Sequence, residues 1–159
     1  MVTPRFVTID EKKLLGKRMS MSLAENKTGE LWQSFSPRRK EITNNVSSNL
    51  ISLSVYKNDH FKDFKLTNEF EKWACVEVPN FDNVPTGMEM LVLPGGLYAV
   101  FDYKGLSTDK SIFQYIFGTW VPGSGYHLDN RPHFEVLGDK YRNNDPSSEE
   151  QIWIPVKAK

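Results

Sequence analysis

Residues 88–105, "MEMLVLPGGLYAVFDYKG", decide the fold because they hold two β-strand patterns separated by a built-in bend. Apolar and β-branched residues dominate on both sides of the bend, as they do in strands. Pro94, Gly95 and Gly96 stand between them. Proline removes a backbone hydrogen-bond donor, and glycine adopts torsions that other residues avoid. The stretch therefore predicts one long strand that bulges or bends in its middle.

The clearest helix of the sequence follows this bent strand. Ser107 or Thr108 is a suitable N-cap, and Pro122-Gly123 end the pattern. Apolar residues spaced at i, i+1, i+4, i+5 and i+8 form one helix face, and here they are Ile112, Phe113, Ile116, Phe117 and Trp120. Two strands then complete the chain, "RPHFEVLG" (131–138) and "QIWIPVK" (151–157). The polar stretch between them, "DKYRNNDPSSEE" (139–150), is predicted to be a loop.

The first half of the chain shows the same order of elements. "RFVTIDEKKLLGKRMSMS" (5–22) has the mixed pattern of a partly exposed strand, and a short helix follows Thr28, a plausible N-cap. "NLISLSVYK" (49–57) and "KWACVEVPN" (72–80) then alternate as strands do. Strand, helix, strand, strand is thus written twice, with a join near 79–87. We predict an α+β fold of two such units related by a pseudo-twofold axis, with an antiparallel sheet, helices on one face and a ligand cleft between the units.

Length and charge limit the classes of protein to which this chain can belong. Its 159 residues suit one domain, 1–159, with halves of about 1–80 and 86–159. Lys and Arg number 20, as do Asp and Glu, so there is no surplus of positive charge to neutralise phosphates, and direct nucleic-acid binding is not expected. No signal-peptide pattern and no membrane-spanning apolar run is present. We therefore expect a cytoplasmic protein without membrane contact.

The sequence offers little for metal or nucleotide chemistry. Cys75 is the only cysteine, which fits a reducing compartment. His60, His127 and His133 do not have the spacing of common zinc sites, so no metal site is expected. "PGGLYAV" (94–100) lacks the spacing of a phosphate-binding loop. No cofactor is predicted.

Glu135 is the candidate functional residue, in the stretch "HLDNRPHFEVLG" (127–138). Alternation places it on the same strand face as His133, whereas Phe134 and Val136 point to the other face. A carboxylate in such a strand is exposed to solvent, is paired within the protein, or meets a ligand that the sequence does not contain. Solvent exposure is the commonest case. A nearby aromatic wall would instead suit a lipophilic cation, because ring faces attract positive charge and the carboxylate supplies the counter-charge.

Three segments together resemble the GyrI-like small-molecule-binding proteins. This family includes the effector-binding domains of AraC-type and MerR-type multidrug-responsive regulators and the gyrase inhibitory protein. The segments are "EVPNFDNVPTGMEMLVLPGGLYAVFDYKG" (77–105), "TWVPGSGYHLDNRPHFEVLG" (119–138) and "EEQIWIPVK" (149–157). The resemblance covers most of the chain and is strongest from Trp73 onward. It implies a pseudo-twofold fold with a ligand cleft between its two units.

The resemblance also implies a set of binding residues. The carboxylate that receives cationic aromatic drugs in the regulator domains matches Glu135 of "RPHFE". Tyr98 of "GLYAVF" matches an aromatic position lining the same cleft, and Trp73 and Trp153 match aromatic positions on neighbouring strands. Many relatives have an aromatic residue two positions after the glutamate, where this chain has Leu137. One wall of the cleft is therefore expected to differ.

By this resemblance the chain is a stand-alone protein that binds lipophilic, cationic aromatic compounds, with a role in transcription regulation or detoxification. Related regulators carry a helix-turn-helix domain before the effector domain, but here the first strand begins near Arg5, so no DNA-binding domain is expected. Two alternatives stay open. One is a hydrolase of strained, cyclopropane-containing electrophiles, with Glu135 as general base and Tyr98 as proton donor or water-orienting group. The other is a module that binds a protein partner, as the gyrase inhibitor does.

Overall fold

The structure is a computed structural model that describes residues 2–159, so residue 1 of the predicted domain lies outside the described residues. The strands are β1 (Arg5–Ile9), β2 (Lys12–Ser22), β3 (Leu50–Val55), β4 (Glu69–Val78), β5 (Glu89–Leu93), β6 (Gly96–Lys104), β7 (Tyr126–Leu128), β8 (His133–Leu137) and β9 (Glu149–Ala158). The helical segments are α1 (Thr28–Phe35), a 3-10 helix (Ser36–Glu41), α2 (Ser111–Tyr115), a π-helix (Ile116–Trp120) and α3 (Val121–Gly123).

The strands form an antiparallel sheet with a symmetric order. That order is β1-β6-β9-β8-β3-β4-β2-β5, and β7 pairs with β9 outside this path. At the centre β3 pairs with β8. From there, β3-β4-β2 of the first unit mirrors β8-β9-β6 of the second, and β5 and β1 extend the two ends. The predicted α+β fold of duplicated strand-helix-strand-strand units is confirmed.

Two short connections make the sheet curl. Residues 10–11 join β1 to β2, and residues 94–95 join β5 to β6, although the members of each pair lie near opposite ends of the sheet. The ends must therefore approach each other. Gly95 permits this approach, because a Cβ atom there would lie 2.6 Å from the carbonyl oxygen of Ile9. The predicted bend at Pro94-Gly95-Gly96 is present, but it is a corner that divides the predicted long strand into β5 and β6, which pair with different strands.

Curling buries both faces of the sheet. We call the concave face, which carries no helix, the inner face, and its core residues are Leu14, Ile51, Leu53, Trp73, Cys75, Leu93, Tyr98, Val100 and Phe134. The opposite face, which we call the helix face, carries two separate apolar clusters. One packs under α1 around Leu31 and Phe35, and the other packs under α2 and the π-helix around Ile112 and Ile116. Burial of each of these side chains contributes about 1.5–3 kcal/mol.

Both helices begin without a side-chain cap. Thr28 is the first residue of α1 rather than its N-cap, and Lys27 occupies the cap position. The second helix begins at Ser111, later than the predicted caps at Ser107 and Thr108. Packing of the apolar faces on the sheet therefore outweighs local capping in fixing the helix starts.

Candidate functional site

Polar side chains occupy the helix face of the two central strands. The β3–β8 register pairs Ser52 with Glu135 and Ser54 with His133, and cross-strand partners share a face. These side chains lie between the apolar cluster under α1 and the one under α2. We call them the groove floor. The groove between the two units thus has a polar floor where an apolar core would otherwise continue.

Two more charged residues reach the groove floor from the flanking strands. Lys72 pairs with Ser54 in the β3–β4 register, and its Nζ donates a hydrogen bond of 3.1 Å to Ser54 Oγ. Ile152 is the cross-strand partner of Glu135. Glu150 lies two residues before Ile152 on β9, so its side chain is on the same face as that of Glu135. Glu150 is only 8% exposed, and its carboxyl group is within hydrogen-bonding reach of that of Glu135. We call Lys72, Glu135 and Glu150 the charged triad.

The charged triad retains a proton at neutral pH. Burial, the charge of Glu135 and a hydrogen bond with the Glu135 carboxyl group together raise the pKa of Glu150 to about 8. Oε2 of Glu150 has no hydrogen-bond donor among residues 2–159. A proton on one of the two carboxyl groups supplies that donor and avoids two adjacent negative charges. Burial also lowers the pKa of Lys72, while the Glu135 charge opposes this effect.

Aromatic side chains close one end of the groove floor and connect the two units. The rings of Tyr56 and His133 lie 4.9 Å apart between centroids, and Phe61 stacks on Phe117 at 5.0 Å. Phe61 also stacks on His133 at 5.5 Å. We call these four residues the aromatic cluster. Burial raises the pKa of Tyr56 to about 12, so its hydroxyl group stays protonated.

The three aromatic residues that were predicted to share the site with Glu135 lie on the opposite face of the sheet. Tyr98 and Trp73 belong to the inner-face core, and Trp153 packs against it. Phe134 points away from the Glu135 side chain, and its ring lies 5.2 Å from Tyr98 and 5.1 Å from Trp153. The reason is the register, because Trp153 pairs with Phe134 and successive residues alternate between faces. The expectation that Tyr98, Trp73 and Trp153 share a cleft with Glu135 is therefore corrected.

Tyr98 instead has a structural setting. It is fully buried, its hydroxyl group donates a hydrogen bond of 3.0 Å to the Pro132 carbonyl oxygen, and the Arg131 guanidinium lies 4.7 Å from its ring centroid. Burial raises the pKa of Tyr98 to about 12. The structure does not bring Tyr98 to Glu135, so it does not form the base and proton donor pair that the hydrolase alternative requires.

Replacement of Tyr98 by phenylalanine tests this setting. Tyr98→Phe is expected to lower the free energy of unfolding by about 1 kcal/mol, because the Pro132 carbonyl oxygen loses its donor. Urea denaturation measures this change. Affinity for a compound bound over Glu135 should be unaltered, since the lost hydroxyl group lies across the sheet. Unchanged stability together with reduced ligand affinity would instead place Tyr98 in the groove.

Glu150 and Lys72 are site residues that the sequence analysis does not single out. The prediction of a loop over 139–150 is wrong at its end, because β9 begins at Glu149 and Glu150 is buried. Two extensions of the alternation rule would have located these residues. Glu150 continues the period of Ile152 and Ile154 toward the start of β9. Lys72 likewise continues the period of the buried Ala74 at the other end of β4.

The fold is a duplicated antiparallel domain in which a groove with two carboxyl groups separates two helix-covered units. The family model of the integron-associated effector-binding protein, Cass2, matches residues 5–156. This chain belongs to that family, and the GyrI-like resemblance is confirmed. No curated protein sequence matches the chain significantly.

Solved structures share the fold over nearly the whole chain. An integron cassette protein from the mobile metagenome of Vibrio cholerae has 16% identity and a TM-score of 0.70, covering 98% of this chain and 96% of its own. SAV2435 bound to tetraphenylphosphonium has 17% identity and a TM-score of 0.69, with coverages of 97% and 93%. The C-terminal domain of EcmrR has 17% identity and a TM-score of 0.74, with coverages of 100% and 99%. At these identities the likeness establishes the fold.

The helices of the described chain are short. Among residues 2–159, no helix is long and apolar enough to cross a membrane.

Proposed function

We propose that this protein binds a lipophilic, cationic aromatic compound in the groove between its two units, with Glu135 as the counter-charge. The observation that carries the proposal is the position of Glu135 on a polar strip between two helix-covered clusters. Membership of an effector-binding family supports a small-molecule ligand. The tetraphenylphosphonium bound to SAV2435, a protein of the same fold, suggests the chemistry of that ligand.

The summed charge of the charged triad supports a cationic ligand. Lys72 offsets one carboxylate, so with Glu150 protonated the charged triad has no net charge. Loss of the Glu150 proton leaves two carboxylates against one ammonium group, a net charge of minus one. A monovalent cation matches this charge, whereas a neutral compound gains nothing from it. Glu150 therefore acts with Glu135 in the proposed site.

The aromatic cluster supplies the apolar side of the proposed site. Phe61 comes from the segment after β3, and Phe117 comes from the π-helix, so the stack of the two rings bridges the groove. Ring faces attract positive charge, and desolvation strengthens the attraction. A cation with aromatic substituents can contact these rings and the carboxylates together.

Calorimetric titration of tetraphenylphosphonium into the protein, with neutral triphenylphosphine oxide as the matched compound, tests the proposal. We expect one cation per chain and at least about tenfold weaker binding of the neutral compound, since tenfold corresponds to about 1.4 kcal/mol. Mass spectrometry of the released compound should recover it unchanged, as sensing or sequestering requires. Equal affinities for the two compounds would refute the role of charge.

A panel of cyclopropane-containing electrophiles provides the counter-test. The proposal predicts that each compound is recovered without hydrolysis. Enzyme-dependent ring opening would favour the hydrolase alternative. No binding of any compound would shift attention to a protein partner.

A further inference from the structure

A cavity of about 460 Å³ lies beside the aromatic cluster. Tyr56, Phe61 and His133 contribute to its wall, but no member of the charged triad does. Its volume is within the range of cavities that hold small organic ligands. The aromatic cluster therefore lies between the charged triad of the groove and this separate cavity.

Positive charge dominates the lining of this cavity. Lys57, Lys62, Arg131 and Lys157 line it, with Asp129 as the opposing carboxylate. Asp129 is already paired, because Nε of Arg131 donates to it at 2.9 Å. The three lysines form no ion pair within residues 2–159. The cavity therefore carries uncompensated positive charge, opposite in sign to the carboxyl groups of the groove floor.

Two residues of the cavity wall each hold a buried nitrogen atom without a partner among the described residues. These atoms are Nη1 of Arg131 and Nδ1 of His133, whose residue is only 8% exposed. The other guanidinium nitrogens of Arg131 are engaged, since Nη2 donates to the Leu97 carbonyl oxygen at 2.6 Å. Both atoms lack accessible surface, and they lie on different faces of the sheet: the Arg131 guanidinium lies over Tyr98 of the inner face, whereas His133 lies on the helix face. They therefore do not face a common ligand, and the charge that a ligand would meet in the cavity is that of Lys57, Lys62 and Lys157.

The apolar part of the wall determines what kind of anion fits. Tyr56, Phe61, Val121 and Leu128 contribute apolar surface to the same cavity. An inorganic anion would leave this surface in contact with water. An anion attached to an apolar body would cover it and meet the lysines at the same time.

We infer that this cavity binds an organic anion, an aromatic or aliphatic body carrying a carboxylate, sulfonate or phosphate group. The two sites share Tyr56, Phe61 and His133, but the lysines of the cavity are not part of the cation proposal and the charged triad does not line the cavity, so variants of the charged residues test each proposal separately. Arg131 and His133 of the "HLDNRPHFEVLG" motif line this cavity, and Glu135 does not.

A matched pair of fluorescent dyes tests the site. Anilinonaphthalene sulfonate has an aromatic body and one negative charge, and N-phenylnaphthylamine is the same body without the charge. Titration of the protein is expected to give at least about fivefold tighter binding of the sulfonate, with an affinity that falls as salt is added. Equal affinities for the two dyes, or a sulfonate affinity independent of salt, would overturn the inference.

Lysine variants locate the bound anion. The double variant Lys62→Met and Lys157→Met is expected to weaken sulfonate binding about tenfold and to leave N-phenylnaphthylamine binding unchanged, since partly exposed charges each act modestly. Lys65→Met is the control, because Lys65 is in the same segment as Lys62 but does not line the cavity. Wild-type sulfonate affinity in the double variant, or equal weakening by Lys65→Met, would show that no such site exists. Circular dichroism confirms that each variant is folded.

Discussion

Glu135→Gln is expected to weaken the binding of tetraphenylphosphonium about tenfold or more, measured by calorimetric titration at pH about 8. The substitution preserves the shape of the side chain and removes its charge. Lys72, which shares the groove floor with Glu135, then faces the bound cation with one carboxylate fewer to offset it. In a partly buried site such a change of charge is worth more than 1 kcal/mol.

Glu150 limits the loss in this single variant. The charge of Glu135 is one cause of the raised pKa of Glu150. Without that charge Glu150 ionises more readily and replaces part of the lost attraction. The double variant Glu135→Gln and Glu150→Gln should therefore lose clearly more affinity than Glu135→Gln, by about a further tenfold. Equal affinities of the single and double variants would show that Glu150 does not face the cation.

Glu149→Gln is the matched control for both variants. Glu149 is adjacent to Glu150 on β9 but exposed. The Glu149→Gln substitution changes the total charge of the protein by the same amount as Glu135→Gln, and we expect it to leave the affinity for the cation unchanged. All variants should also bind triphenylphosphine oxide like wild type. Similar losses in Glu149→Gln and Glu135→Gln would mean that only the net charge of the protein attracts the ligand.

Repetition along the sequence predicts the fold, because each unit contains its own patterns. The bend at Pro94-Gly95-Gly96, the apolar stripe from Ile112 to Trp120 and the alternating strands all depend on neighbours within about ten residues. The position of Glu135 on the face of His133 and opposite to Phe134 follows from the same local rule. Its role as the ligand's counter-charge comes from the family resemblance and remains a prediction.

Contacts that depend on strand register could not be predicted in this way. Trp153 and Ile152 alternate on β9, and both faces of the curled sheet are buried, so burial does not reveal which residue shares a face with Glu135. Only the pairing of Glu135 with Ile152 decides it. The placement of Phe61 on Phe117 likewise joins residues that are distant in the chain. Long-range pairing therefore accounts for the misplaced aromatic residues.

A further large effect is expected from the proton of Glu150. In the free protein Glu150 keeps its proton up to pH about 8. A bound cation stabilises the ionised carboxylate and lowers this pKa in the complex. Binding therefore releases a proton, and affinity rises as the pH approaches 8 from below. We expect at least about a tenfold gain in affinity for tetraphenylphosphonium between pH about 6 and pH about 8.5.

Calorimetry in buffers of different ionisation enthalpy counts the released protons. Wild type should release close to one proton at pH about 7, and Glu150→Gln should release none and bind with little dependence on pH. Glu149→Gln should behave like wild type. Lys72 is the other group of the charged triad that can release a proton to solvent when a cation binds beside it. Release that persists in Glu150→Gln but disappears in Lys72→Met would assign the proton to Lys72 and contradict the prediction.

The same proton affects stability without any ligand. Unfolded Glu150 ionises near its ordinary value of 4.5, whereas the folded protein holds the proton until pH about 8. The contribution of Glu150 to stability is therefore complete below pH 4.5 and is lost progressively as the pH rises toward 8. Burial lowers the pKa of His133 to about 3, so its effect has the opposite direction and ends near its ordinary value of 6.5. Between pH 6.5 and 8 the decline due to Glu150 is no longer offset by His133. In urea denaturation the stability of wild type should therefore fall with pH in this window, whereas that of Glu150→Gln should not.

Proton release also separates charge recognition from apolar binding within one experiment. A neutral compound such as triphenylphosphine oxide does not stabilise the ionised form of Glu150, so its affinity should not vary with pH over the same range. A cation that binds only to the aromatic cluster would likewise release no proton. Dependence on pH for the cation alone, lost in Glu150→Gln, therefore requires the positive charge to lie against the carboxyl pair. Equal dependence for both compounds would indicate a pH-driven change in the groove itself and would remove Glu150 from the binding site.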